Sequence, residues 1–141
     1  MGFRVHITGD EEIDLNEGIV TDVQFISDTP NASNARSTDL GVIMIIKGRI
    51  NFSIGAEVED PTVKLATWAL IPSDKADCYR EMQVQIVSGD QIVRQYTYPN
   101  AFVMAYTENL NDDEGVGSFS LTLKQKKDLT ENVELKGNFE V

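Results

Sequence analysis

Hydrophobic side chains recur at every second position through much of this chain. In Phe3-Arg4-Val5-His6-Ile7-Thr8, the residues Phe3, Val5 and Ile7 interleave with Arg4, His6 and Thr8. That is the pattern of a half-buried strand, because successive side chains of a strand point to opposite faces. The strictest alternation runs from Ser118 to Lys124, with Phe119, Leu121 and Leu123 on one face and Ser118, Ser120, Thr122 and Lys124 on the other. Before it, Ala101-Phe102-Val103-Met104-Ala105-Tyr106 is apolar-rich, and the acidic segment from Asn109 to Gly115 reads as a turn. The spacing therefore predicts a hairpin over 101–126. Further strands are predicted over Ile19–Ile26, with Thr21, Val23 and Phe25 on one face, and over the isoleucine-rich Val42–Ile54. Gly48 marks either a bend in the latter or the meeting of two strands. Cys78–Val87 and Gln91–Tyr98 flank the turn Ser88-Gly89-Asp90, and Asn132–Val141 is the last strand.

One helix is predicted, over 60–71. Asp60 stands where an N-cap belongs, and Pro61 suits the first helical position, whose N–H has no partner in any case. Val63, Leu65, Ala66, Ala69 and Leu70 follow at helical spacing until Pro72 stops them, and Trp68 is expected to pack the helix onto a sheet. Seven or eight strands with one short helix give a mainly β fold, either a small antiparallel barrel or two packed sheets. At 141 residues and 41% hydrophobic content, the chain suits a single domain, 1–141.

Composition narrows the function. With 23 acidic against 12 basic residues the net charge is −11, which opposes indiscriminate binding to nucleic-acid phosphate and disfavours an anionic membrane surface. The best apolar run, Val42 to Ile46, ends at Lys47, far short of the ~20 residues a membrane helix needs. The N-terminus lacks a secretory signal's pattern, so synthesis in a cytoplasm is expected. The acidity is expected to serve solubility. A single cysteine, Cys78, excludes an internal disulfide.

Catalytic and cofactor chemistry finds little footing. His6, the only histidine, falls on the polar side of the first strand and reads as a surface residue. Cys78 reads as a small buried side chain at a strand start. Gly115-Val116-Gly117 lacks the lysine and helix of a phosphate loop, and Asn111 to Gly115 lacks the ligand spacing of a calcium loop. The cluster Lys124-Gln125-Lys126-Lys127 reads as a protected strand end or as a partner for an acidic neighbouring subunit. No cofactor or metal is expected. The long polar segment Ser27–Gly41 is where function is placed, since loops of this length tend to be functional. Asp28, Thr29, Asn31, Asn34, Arg36 and Asp39 offer directional polar contacts there, and Pro30 reduces the entropy lost on docking.

One resemblance joins these readings. Pro99-Asn100-Ala101-Phe102 leads a strand that Tyr106-Thr107-Glu108 closes; a Gly-containing acidic turn follows, then an alternating strand ending in Lys and Gln. That order resembles the C-terminal half of tail-tube-like proteins, a group that includes phage tail tube subunits and the haemolysin-coregulated (Hcp) tube protein of type VI secretion. The resemblance implies a structural protein, not an enzyme, whose copies close into hexameric rings that stack into a hollow tube. It implies that 27–41 is an extended inter-subunit loop. It also places Ile43, Ile45 and Lys47, with Ala101, Val103, Leu121, Leu123 and Lys124 of the hairpin, in wall strands. The implied partners are other copies of the chain, sheath and baseplate proteins, and DNA or protein cargo in the lumen. The implied location is a bacterial cytoplasm, then a virion or injection particle. The alternative is a monomeric β-sandwich module that binds a carbohydrate or peptide through Trp68, Tyr96 or Tyr98, against which an aromatic content of 8% tells.

Overall fold

In the computed structural model, residues 1–28, 41–51, 61–72, 74–112 and 116–140 are described. They form an antiparallel sheet of β1 (Gly2–Thr8), β2 (Ile13–Leu15), β3 (Val20–Asp28), β4 (Gly41–Asn51), β5 (Arg80–Ser88), β6 (Gln91–Asn109), β7 (Val116–Gln125) and β8 (Glu134–Glu140). Among the described residues one α-helix, α1, spans Pro61–Ala69. The hydrogen-bonded order is β2-β1-β5-β6-β7-β4-β3, with β8 added beside β6.

The sheet curls so that its two halves pack face to face. Phe25 of β3 stacks on Tyr96 of β6 with centroids 5.0 Å apart. The Tyr98 hydroxyl reaches across the core to donate to the Ile43 carbonyl at 3.1 Å. The mainly β expectation thus holds, and its two layers are halves of one sheet. The path is not closed into a barrel, because β2 and β3, at its two ends, are not paired with each other.

Alternation builds this core as the sequence predicts. Val5 and Ile7 of β1, Met44 and Ile46 of β4, and Phe119, Leu121 and Leu123 of β7 are all buried, each such side chain contributing roughly 1.5–3 kcal/mol. β3 differs in detail from its predicted facing. A register shift between Val20 and Asp22 leaves Thr21 exposed while Val20, Val23 and Phe25 turn toward the core.

β4 runs unbroken through Gly48, whose role is close approach: a Cβ there would stand 2.5 Å from the Ile19 carbonyl and 2.6 Å from the Phe119 ring. β6 is the larger surprise. It continues through Pro99, so the two predicted strands Gln91–Tyr98 and Ala101–Tyr106 are one strand of 19 residues. The proline is tolerated because no ladder needs its missing N–H. On one side β8 ends at Thr97 and β7 begins at Ala101. On the other, the β5 register slips between Arg80 and Met82.

The helix closes one end of the core with Leu65 and Trp68. Pro61 opens it as predicted, while Asp60 lies outside the described residues. Trp68 donates from Nε1 to the Cys78 carbonyl at 2.8 Å, and the Arg80 guanidinium lies 5.4 Å from its ring centre. The start of the predicted strand at Cys78 is instead a short 3-10 turn, Ala76–Cys78, with the cysteine buried as expected.

Candidate functional site

The second half of β6 with β7, β4 and β3 presents a broad outward face laid out in cross-strand rows. The first row is Phe102, Lys124, Ile43 and Ile26; the second is Ala105, Thr122, Ile45 and Gln24. The third is Thr107, Ser120, Lys47 and Asp22, and a last row holds Asn109, Ser118 and Arg49. A column of hydroxyls on β7 therefore runs between isoleucines and lysine on β4 and small or apolar residues on β6.

The predicted wall residues divide between the two faces. Ile43, Ile45, Lys47 and Lys124 lie on the outward face, whereas Ala101, Leu121 and Leu123 are buried and the half-buried Val103 packs against the core. Lys47, Arg49 and Lys124 share this face with Asp22 and Asp28. Of the predicted loop residues, Asp28 ends β3 exposed; Thr29, Pro30, Asn31, Asn34, Arg36 and Asp39 lie outside the described residues.

The edges of the sheet are the other notable geometry. β5 stops pairing with β6 at Ala101, so Phe102–Asn109 is hydrogen-bonded to β7 on one side and, among the described residues, to no strand on the other. An unpaired row of N–H and C=O groups is a template for another strand. The edge carries Met104, 52% exposed, and one charged residue, Glu108, so it lacks the lysines and prolines that usually blunt such edges.

Other singled-out residues resolve into structural roles. His6 is half-exposed and its Nδ1 meets Asp14 across the β1–β2 pair. Among those residues no group of three His, Cys, Asp or Glu stands ready for a metal. Burial, and then Asp77 and Asp74, push the Cys78 thiol above its ordinary range, which keeps it in the unreactive protonated form. Lys124 faces outward, and Lys126 lies 5.3 Å from the Tyr79 ring centre. Gln125 is fully buried, accepting from the Asn100 N–H and donating to the Leu129 carbonyl, both at 3.0 Å.

The aromatic residues of the alternative binding reading are inside. Trp68 is 1% exposed, Tyr96 6% and Tyr98 0%, so none offers a ring to a sugar or peptide. Sequence reasoning passed over Arg49. The signal for it was present, since Ile43, Ile45, Lys47 and Arg49 continue one period-two row past Gly48.

No family model matches the chain, and no curated protein matches it. Solved structures do. An Hcp protein from Flavobacterium johnsoniae superposes with a TM-score of 0.55 at 14% identity, over 98% of this chain and 99% of that one. A second Hcp crystal structure gives 0.56 at 9% identity, over 97% and 99%. A chain of the sheath–tube complex of an extracellular contractile injection system, in its extended state, gives 0.52 at 16% identity, over 96% and 88%. The chain has an Hcp-like tube fold.

Proposed function

We propose that the protein is a structural subunit of a hollow tube, of the kind that forms a phage tail or the inner tube of an injection system. Copies close into rings, hexameric by the resemblance, and the rings stack to conduct DNA or protein cargo. The observation that carries this reading is the unprotected β6 edge, Phe102–Asn109, on a fold shared with Hcp proteins. Joining that edge to a strand of the next copy satisfies its backbone groups, and closing a ring does so for every copy at once.

Sheath and baseplate proteins are the partners proposed outside the tube, in line with the sheath–tube and baseplate assemblies that contain chains of this fold. The subunit is made in a bacterial cytoplasm and assembled into a virion or injection particle. Light scattering after size exclusion at several concentrations, with negative-stain images of the same fractions, tests this. Rings or hollow tubes are expected, and His6→Ala is expected to leave them intact. A strict monomer at all concentrations, with no rings in the images, counts against the proposal.

A further inference from the structure

Among the described residues Arg80 is the one buried charge, 7% exposed at the start of β5 and opposite Ala101 of β6. Its Nε lies in the buried part and finds no acceptor. No described carboxylate forms an ion pair with it. Taking a guanidinium out of water is costly unless it is paired and hydrogen-bonded. The Trp68 ring, centred 5.4 Å from Cζ, offsets part of that cost by cation–π attraction. A ring face supplies no lone pair to Nε–H, however, so the donor stays unused.

Acidic residues stand close by in the chain and leave the arginine unpaired. Gly9 makes room for it, since a Cβ there would fall 2.7 Å from Cδ and 2.8 Å from Nε of Arg80. Gly9 itself is exposed, so the arginine lies just beneath the surface at that point. Asp10, Glu11 and Glu12 follow directly, and all three are exposed. On the other side Asp77 and Asp74 are near enough to push up the Cys78 thiol, and both are likewise exposed. The fold thus keeps its own acids in water and holds a guanidinium with idle donors under a thin cover. Donors so placed are set to accept an oxyanion from outside the chain.

We propose that Arg80 is the anchor of a site that binds a single carboxylate, carried either by a small free acid or by an acidic side chain of another protein. The planar fork of the guanidinium matches the two oxygens of a carboxylate. The acidic rim sets the class, because Asp10, Glu11, Glu12 and Asp77 repel a doubly charged phosphate more strongly than a singly charged carboxylate. A bound carboxylate competes with the ring face for the guanidinium charge, so Trp68, the chain's single tryptophan, reports occupancy. One copy of the chain suffices for binding, with or without rings.

Tryptophan emission and thermal melting of the full chain test this, in sodium acetate against sodium chloride at constant ionic strength. Acetate is expected to change the emission saturably, with a millimolar midpoint, and to raise the melting temperature. Phosphate is expected to bind about tenfold more weakly than acetate, given the acidic rim. A short blocked peptide carrying one glutamate separates the two sources: a midpoint well below that of acetate assigns the site to a protein partner, and an equal one assigns it to small acids. Arg80→Met is expected to fold, since an apolar chain replaces an unpaired charge, and to lose the response. Arg80→Lys keeps the charge without the fork and is expected to weaken binding about tenfold; it decides the matter if the methionine variant does not fold. Acetate indistinguishable from chloride overturns the proposal, as does phosphate binding more tightly than acetate or a response that survives unchanged in either variant. A silent parent whose Arg80→Met variant melts far lower would leave Arg80 only the task of seating Trp68.

Discussion

At Gly48 two strands leave no room for even a methyl group. The carbonyl of Ile19 and the Phe119 ring occupy the place a Cβ would take, and the Arg49 N–H donates to that same carbonyl at 2.8 Å. Gly48→Ala is expected to lower unfolding free energy by about 1–3 kcal/mol, as overpacking does; an unchanged urea midpoint would show that β3 and β4 can part there freely. Tyr98 gives a pH signature of a different kind. Burial, and then Tyr96, push its phenol well above the ordinary value. The unfolded chain therefore ionises first. Its contribution to stability is complete below the ordinary pKa of about 10 and is lost as pH rises from there toward the folded value. Tyr98→Phe is expected to cost about 1 kcal/mol at pH 7, the worth of its bond to Ile43, and to flatten the decline above pH 10. Urea titrations at pH 7 and pH 11 check both, and a mutant with an equally steep alkaline decline would assign that loss to another group.

Among the elements, what could be read beforehand follows from how strongly each is patterned. β7 alternates without exception and carries partners on both sides, so its faces and much of its extent were legible. β2 was not, because three residues, Ile13, Asp14 and Leu15, are too few to show a period beside an acidic turn. The continuity of β6 was hidden by Pro99, which reads locally as a break; its harmlessness depends on the gap between β8 and β7, and that is a tertiary fact. The same contrast predicts protection. Amides of β4 and β7, each paired on both sides, are expected to exchange with solvent far more slowly than those of β2 and β8, which pair on one side only. Comparable rates for β7 and β8 in native-state exchange would mean that the sheet opens as one unit.

Across the whole molecule, the site was less legible than the fold. Period two assigns residues to a face but does not say which faces meet, so Ala101, Leu121 and Leu123 joined Ile43 and Ile45 in one expected wall although the sheet buries the former. Arg49, Phe3 and Asp112 are far apart in sequence, and only the curl of the sheet brings them to one end. At the other end lies the helix, with Trp68, the chain's single tryptophan, held beneath Arg80 and bonded to Cys78. That arrangement makes the protein its own optical gauge. Tryptophan emission follows the seating of α1 alone, while circular dichroism follows the strands. On heating, two curves that coincide mean the helix departs with the sheet. An emission change that comes first means the end plate lifts while the walls still stand.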